Sequence, residues 1–261
     1  MSATTMATAA FNRVPRVTID FWLIKLMAVT VGETAADYLA VNLGLGLPLT
    51  SMIMTGVLII ALILQFAQKR YVPWAYWLAV VLISVVGTLL TDNLVDNFGV
   101  PLVVTTVACT ILLAGTFAAW YWSERTLSIH TIITTKREAF YWLAILFTFA
   151  LGTAAGDFVA EKLDVGYLNT GLLFAAVIAL IALAYFVLKI NGILAFWLAY
   201  ILTRPLGASF GDLLSQPVEY GGLGLGTIVT SLLFLAAIAA IVLYMSWMNR
   251  EGELVTSGPT T

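Results

Sequence analysis

Long apolar stretches alternate with short polar segments along the whole chain, and this pattern predicts a bundle of long helices. Each stretch is long enough, as a helix, to cross a hydrocarbon core of about 30 Å. The predicted helices cover about residues 17–41, 49–68, 74–94, 101–123, 139–160, 167–189, 192–214 and 224–247. The longest polar segment between them, residues 124–138, separates two halves of four helices each.

A motif of small, aromatic and acidic residues occurs four times, once in every odd-numbered helix. It begins with an aromatic–Trp pair, has a glycine ten residues after the Trp, a small residue four positions later, and then an aspartate. The copies are Phe21-Trp22/Gly32/Ala36/Asp37, Tyr76-Trp77/Gly87/Thr91/Asp92, Tyr141-Trp142/Gly152/Gly156/Asp157 and Phe196-Trp197/Gly207/Gly211/Asp212. The chain is therefore an internal repeat of two-helix units.

The repeat predicts an all-α integral membrane protein of eight transmembrane helices. It divides into a tail (1–16), a first half with two repeats (17–128), a second half with two repeats (129–248) and a C-terminal tail (249–261). Because each repeat contains two spans, all four copies point the same way. We therefore expect four parallel helical hairpins with pseudo-fourfold symmetry, or twofold symmetry between the two halves.

Composition excludes a water-soluble domain. The 261 residues are 61% hydrophobic and 10% charged, against about 25% charged in ordinary soluble domains. No block of basic residues offers a nucleic-acid site, so the expected partner is the lipid bilayer; an oligomer is left open. The chain holds no Walker loop, GxSxG motif or zinc-ligand spacing, so we expect neither an enzyme nor a bound cofactor.

Basic residues predict the orientation. Nine Lys and Arg residues lie on the side of the termini and of the links after helices 2, 4 and 6, whereas the other side has only Lys162. The positive-inside rule then places both termini in the cytoplasm. The aromatic–Trp pairs are expected to form a belt at the cytoplasmic interface, with the aspartates about 22 Å further along their helices.

The motif suggests ion binding at the aspartates and helix packing at the glycines. Small residues four apart let helices approach closely in lipid, and the glycines expected to do so are Gly32, Gly87, Gly152, Gly156, Gly207 and Gly211. One carboxylate from each repeat would form a ring that attracts and selects cations, so the predicted cation-binding residues are Asp37, Asp92, Asp157 and Asp212. Hydroxyls of the second helices could add ligands, namely Thr50, Thr105, Thr170 and Thr230. Carboxylate and hydroxyl oxygens suit Mg²⁺, Ca²⁺ or Mn²⁺.

Three further charged residues within the predicted helices have a separate interpretation, namely Lys25, Glu33 and Arg204. Arg204 needs a carboxylate partner, for which Asp212 or another aspartate of the ring is the natural choice. It could be a tethered cation that a substrate ion displaces, or one member of a fixed ion pair. Glu33 could extend the acidic site, and Lys25 could reach the cytoplasmic interface. The aspartates themselves could instead only bind loop N–H groups and hold the hairpins.

Four runs of the chain resemble a bacterial integral-membrane family that is described only as a membrane-anchored protein of unknown function. They are GETAADYLAVNLGLG, GTLLTDNLVDNFGV, FYWLAILFTFALGTAAGD and LTRPLGASFGDLLSQP, and the resemblance covers about residues 14–248. It implies a bacterial inner-membrane protein without implying an activity. Repeats with an aspartate in a glycine-rich helix are also similar in style to several families of metal exporters.

The sequence therefore favours a secondary transporter or exporter of divalent cations, with Mn²⁺ as the first choice and proton exchange as a compatible energy source. The metal ion or proton would be its substrate. Two alternatives stay open. The protein could be a passive cation channel, if the ring surrounds an open axis, or a scaffold or sensor that transports nothing.

Overall fold

The computed structural model describes residues 11–256, with side chains described as far as residue 248, and this part of the chain is all-helical. Eight long helices occur within it: α1 (Ile19–Asp37), α2 (Leu47–Phe66), α3 (Pro73–Asp92), α4 (Leu102–Glu124), α5 (Thr135–Asp157), α6 (Tyr167–Leu188), α7 (Gly192–Ser215) and α8 (Thr227–Thr256). Most bounds lie within a few residues of the predicted ones. The largest difference is at α8, which continues through much of the predicted C-terminal tail.

The aspartates of the first three repeats end their helices. Each is followed directly by one π-helical turn, and these turns are Tyr38–Asn42, Asn93–Asn97 and Phe158–Lys162. In the fourth repeat, α7 continues past Asp212 to Ser215, and a short 3₁₀ turn, Val218–Tyr220, follows. The fourth repeat therefore differs from the others in the segment directly after its aspartate.

The four odd-numbered helices form a closed ring in which α1 packs on α3, α3 on α5, α5 on α7, and α7 on α1. Each motif glycine lies against the next helix in this order. A Cβ atom built on the glycine would overlap a residue there, in the pairs Gly32–Ser84, Gly87–Phe149, Gly152–Arg204 and Gly207–Val29. Since the contacted residues all stand three positions before a motif glycine, the four interfaces are built alike. The absence of a side chain thus lets adjacent helices approach closely.

The even-numbered helices lie outside this ring, but each packs on the following repeat. Thus α2 packs on α3, α4 on α5, α6 on α7, and α8 returns to α1, whereas the two helices of one repeat make few close contacts. The two helices of each predicted hairpin therefore do not pack on each other along their length. A short loop joins the two helices at one end, and the second then leans over the neighbouring repeat.

Seven of the described helices, α2 to α8, are long and apolar enough to cross a membrane, which indicates a multi-pass membrane protein. In α3, α5 and α7 more than half of the most apolar window is buried inside the protein, against less than a quarter in the even-numbered helices. The even-numbered helices therefore present most of their apolar surface outward. The remaining helix, α1, carries Asp20, Lys25, Glu33 and Asp37 within 19 residues.

The four aromatic–Trp pairs form one layer, which we call the aromatic layer, at the end of the ring where the odd-numbered helices begin. The first aromatic residue of each pair contacts the Trp of the next repeat, with ring centroids 5.5–6.2 Å apart, in the pairs Phe21–Trp77, Tyr76–Trp142, Tyr141–Trp197 and Phe196–Trp22. The Tyr76 and Tyr141 hydroxyls lie 2.6 Å apart at its centre. The layer therefore fills the axis of the ring at this end.

The predicted interfacial Trp belt is wrong for three of the four Trp side chains, because Trp77, Trp142 and Trp197 are buried. Their indole N–H groups donate to the Tyr71 hydroxyl, the Glu138 carboxylate and the Leu127 carbonyl. Tyr71 and Leu127 belong to connecting segments that cover this end of the ring, and Glu138 lies in the first turn of α5, so each buried indole has both apolar contacts and an acceptor. Burial raises the pKa of the Tyr71 hydroxyl, which keeps it protonated.

Residues 11–16 belong to this cover and are not a loose tail; residues 1–10 lie outside the described part of the chain. The Asn12 side chain donates to the Val14 and Ile129 carbonyls and accepts from the Ile132 N–H, at 2.9–3.1 Å. Beside it, Arg13 forms a 2.5 Å ion pair with the buried carboxylate of Glu138. The N-terminal segment is thereby joined to the link between the two halves of the chain.

Replacing Asn12 by alanine should lower the free energy of unfolding by about 2 kcal/mol, because it leaves buried main-chain groups of Ile129 and Ile132 without partners. Denaturant unfolding in detergent micelles measures the loss. Asn169→Ala is the matched control, since that side chain is exposed and donates only to the Val165 carbonyl just before its own helix; its effect should stay within about 0.5 kcal/mol. Equal stability of the two variants would contradict a structural role for this contact.

Candidate functional site: an acidic cavity

The four motif aspartates line one cavity at the end of the ring opposite the aromatic layer. This cavity, the acidic cavity, has a volume of about 180 Å³ and is open to the outside. Asp212 is buried, and the other three aspartates are half-buried. Because every odd-numbered helix runs from the aromatic layer to this end, the repeat brings one carboxylate from each helix to a common depth.

A second layer of repeat-equivalent residues lines the cavity one turn closer to its mouth. Each stands four positions after a motif aspartate, and together they are Val41, Asp96, Glu161 and Gln216. The first residues of three even-numbered helices complete the wall: Leu47, Leu102 and Tyr167. Two of these lining residues are acidic, so the mouth continues the negative charge of the aspartate layer and attracts cations toward it.

Most of the aspartates are not tied to loops. The Gln216 amide donates to Asp37 at 3.3 Å, whereas Asp92, Asp157 and Asp212 accept no hydrogen bond from any residue between 11 and 248. A carboxylate that held a hairpin together would accept loop N–H groups. This arrangement therefore leaves the three carboxylates available to water or an ion in the cavity.

Below the aspartates, Arg204 crosses the axis and closes the cavity floor. Its Nη2 atom donates to Glu33 at 2.9 Å, to Thr153 at 2.8 Å, and to the Thr88 hydroxyl. These three acceptors follow the motif glycines of α1, α3 and α5 and are thus equivalent positions of the repeat. The expected partner Asp212 is wrong: the ion pair is with Glu33, on the neighbouring helix. We call these four residues the floor.

Glu33 connects the floor with the cavity. Its side chain is almost fully buried, pairs with Arg204 and also lines the acidic cavity. The Nε and Nη1 atoms of Arg204 are buried without a hydrogen-bond partner among the described residues, which is a costly arrangement for a guanidinium. The Arg204–Glu33 pair therefore leaves part of the guanidinium buried without acceptors, and it lies directly beneath the place where a cation would enter.

Lys25 lies inside the ring rather than at its edge, so the expectation that it extends to the interface is wrong. Its ammonium donates to the Tyr200 carbonyl at 3.0 Å and to the Thr203 hydroxyl at 2.5 Å, and it lies 3.8 Å from the centre of the Tyr200 ring. Only about 1% of the residue is exposed. The core of the ring thus contains two buried basic side chains, Lys25 and Arg204.

The threonines of the even-numbered helices do not line the acidic cavity. All four are buried in the first turn of their helices, and Thr50, Thr105 and Thr230 donate to the main-chain carbonyl four residues earlier. The Thr170 hydroxyl is buried without a partner among the described residues. The expectation that these hydroxyls add ligands to the site is wrong, because only the first residues of the outer helices reach the cavity and the threonines, three positions later, lie outside its lining.

The carboxylates surround the cavity without converging on one point. Among the described residues no group of three or more His, Cys, Asp or Glu side chains is close enough to hold a metal ion jointly. A metal ion bound here would therefore need water molecules to complete its ligand set and to bridge it to the carboxylates.

Sequence reasoning did not identify Thr88 and Thr153 in the floor or Gln216 and Tyr167 in the wall. The first two could have been found, because they occupy the position of Glu33 in their own repeats. Gln216 similarly occupies the position of Asp96 and Glu161. Tyr167 gave no such signal, because it belongs to an outer helix that reaches the cavity only through its first residue.

Comparison with known proteins agrees with the fourfold repeat. A family model described as "Repeat of Unknown Function (DUF347)" matches the chain four times, at residues 21–71, 75–126, 140–191 and 195–251. Neither the curated proteins nor the solved structures that were searched contain a match. Each family match begins at or within one residue of an aromatic–Trp pair; the first three continue past the end of the following even-numbered helix, and the fourth ends inside α8. The chain belongs to the DUF347 repeat family, and it carries four copies of that repeat.

Proposed function

We propose that the protein is a secondary transporter of divalent cations that binds its substrate in the acidic cavity. The observation that carries this proposal is the presence of four repeat-equivalent aspartates in one open cavity, three of them without a hydrogen bond from the described residues. Buried carboxylates in a membrane protein are costly and typically mark an ion or proton pathway. Oxygen ligands alone favour hard cations, so Mg²⁺, Ca²⁺ and Mn²⁺ are the ions to test, with Mn²⁺ first.

In this proposal all eight helices cross a bacterial inner membrane. The equivalent contacts of the four motif glycines support pseudo-fourfold symmetry about an axis along the membrane normal. The excess of basic residues on the side of the aromatic layer supports cytoplasmic termini. The acidic cavity then opens to the outside, and α1 crosses the membrane inside the bundle, where its charged residues are shielded from lipid.

A transporter is favoured over a passive channel because two layers close the axis. The floor fills it with the Arg204 guanidinium, and the aromatic layer fills it again below with buried rings. A substrate cation can therefore pass along the axis only after the ring rearranges, which is the behaviour of an alternating-access carrier. A scaffold is disfavoured, because the unpaired aspartates do not hold any loop.

The proposed cycle follows from the charges along the axis. A hydrated cation is attracted to the mouth by Asp96 and Glu161 and reaches the aspartate layer. There it neutralises several carboxylates and competes with Arg204 for Glu33. Loss of the Arg204–Glu33 pair would loosen the contact between α1 and α7, and so allow the two halves of the chain to move relative to each other. The direction of net transport then depends on the gradients of cation and proton.

We expect metal content to differ between cells with and without the protein, and the four aspartates to be required for that difference. Cells are grown in Mg²⁺, Ca²⁺ or Mn²⁺, and their metal content is measured by mass spectrometry. A variant with Asn at positions 37, 92, 157 and 212 should lose the effect while eluting as a folded protein in gel filtration. Asparagine keeps the shape of each side chain and removes its charge.

Asp164→Asn is the matched control for this experiment. Asp164 is an exposed carboxylate at the same end of the bundle, outside the acidic cavity, and has a positive φ of 53°, a conformation that Asn also tolerates. This variant should behave as the wild type. A fourfold variant that folds and still changes metal content would contradict the proposal, and one that fails to fold would support a scaffold.

A further inference from the structure

Lys25 is a buried amine that the proposed cation site does not use. It lies on α1, eight residues and so about 12 Å before Glu33. The Tyr200 carbonyl, the Thr203 hydroxyl and the rings of Phe149 and Tyr200 surround its ammonium. Lys25 does not reach the protein surface, since only about 1% of the residue is exposed.

Within the described part of the chain Lys25 has no carboxylate partner. The buried carboxylates Glu33 and Glu138 are each paired with an arginine. The charged or titratable groups that face Lys25 are Tyr200 and Arg204, both on α7, whereas α5 provides the Phe149 ring. The other helices that pack on α1, namely α3 and α8, contribute no charged group there. Structural ammonium groups in dry cores are normally paired, because an uncompensated charge is costly.

Lys25 also lies between the two closures of the axis. On one side Thr203, its hydroxyl acceptor, precedes Arg204 of the floor in the chain. On the other side Tyr200 contacts Phe21 of the aromatic layer, with centroids 6.3 Å apart. The Tyr200 hydroxyl is buried and has no hydrogen-bond partner among the described residues. The polar groups of the core are thus distributed along the axis from the aromatic layer to the floor.

We propose that Lys25 carries the proton that this transporter exchanges for its substrate cation, an inference that rests on the proposed function. Protonated Lys25 and Arg204 place two positive charges against the single carboxylate of Glu33. A cation entering above them adds further positive charge, so the proton on Lys25 and the cation disfavour each other. When the cation binds, the ammonium releases one proton to water and becomes a neutral amine; when the cation leaves, the amine takes up one proton from water.

The test uses the full-length protein in lipid vesicles with Mn²⁺. Two signals are recorded: exchange of labelled for unlabelled Mn²⁺ at equal concentrations, and Mn²⁺ accumulation driven by a pH gradient. Lys25→Met removes the proton-binding group and keeps a similar volume, whereas Lys25→Arg keeps a positive charge that does not release its proton. Both variants should retain exchange and lose pH-driven accumulation, to the level of empty vesicles. Lys162→Met, at an exposed lysine near the cavity, should retain both signals.

The outcomes separate this inference from the proposed function. If wild-type protein shows no Mn²⁺, Mg²⁺ or Ca²⁺ exchange, the transport function itself fails. If exchange is present and Lys25→Arg still accumulates Mn²⁺ along the pH gradient, Lys25 is a fixed charge and the inference is overturned. If wild-type protein exchanges Mn²⁺ but a pH gradient drives no accumulation, the proton coupling is overturned.

A second variant keeps the inference testable if both Lys25 variants fail to fold. Thr203→Val removes the hydroxyl that accepts from the ammonium and leaves Lys25 in place. It should shift the pH midpoint of Mn²⁺ accumulation relative to wild type, with exchange retained. An unchanged midpoint would overturn the role of Lys25, because a purely structural contact leaves the pH profile where it was.

Discussion

Replacing Arg204 by methionine should lower the free energy of unfolding by about 3–5 kcal/mol, because it leaves Glu33 buried without a counter-charge. The hydroxyls of Thr88 and Thr153 lose their donor at the same time. Denaturant unfolding in detergent micelles gives the change. Arg16→Met is the control, since Arg16 is exposed, and its effect should stay within about 0.5 kcal/mol.

The double variant Glu33→Gln with Arg204→Met shows whether the loss comes from the ion pair. Removing both charges should restore most of the stability, since a buried pair replaced as a whole is often neutral or stabilising. The coupling between the two changes follows from the double-mutant cycle. A double variant as unstable as Arg204→Met alone would mean that Arg204 acts through packing and not through its bond to Glu33.

An alanine at Gly152 should destabilise the protein by about 3 kcal/mol, the upper part of the usual range for overpacking. The new Cβ would overlap Cγ and Cβ of Arg204 and would lie 3.0 Å from the Pro205 ring. These atoms are near the backbone of α7 and have no free space to move into, so the α5–α7 interface must separate. Thermal unfolding in detergent measures the effect.

Gly115→Ala is the matched control, with an expected effect of opposite sign. Gly115 lies inside α4 and faces open space, since no atom outside its own helix backbone and chain neighbours stands within 4 Å of the place that a Cβ would take. Alanine is favoured over glycine in a helix interior by up to about 1 kcal/mol, so this variant should be slightly more stable than wild type. If both alanine variants gain stability, the close approach at Gly152 is not required.

The sequence motif was sufficient to predict the helices that carry it and the common level of the four aspartates. The spacing between Gly32 and Asp37 is repeated between the equivalent glycine and aspartate of the other three repeats. Helices with the same spacing make equivalent contacts when they form a ring. The packing of the even-numbered helices is harder to predict from the sequence, because their outward faces require only apolar residues. The repeat predicts two-helix units, but it does not tell whether the second helix packs on its own repeat or on the next one, as α2 does on α3.

Charged residues inside the bundle were predicted less well. Asp212 or another aspartate of the ring was the expected partner of Arg204, but the close approach of α1 and α7 at Gly207 brings Glu33 within reach instead. Lys25 is one turn from Trp22, which suggested that it reaches the membrane–water interface. The segment around Asn12 covers the end of the ring at which the aromatic layer lies, and Lys25 is therefore in the interior. In both cases long-range packing, which no local pattern encodes, decides the neighbours.

The packing of α8 and α7 on α1 has a consequence for biosynthesis. The first helix leaves the ribosome with Lys25, Glu33 and Asp37, and two of its neighbours, α7 and α8, are the last helices to be made. Arg204, the counter-charge for Glu33, is likewise absent until the fourth repeat is synthesised. Until α7 and α8 are made, α1 therefore lacks the neighbours that bury Lys25 and Glu33 in the complete protein, and a chain that stops before α7 leaves these charged groups uncovered.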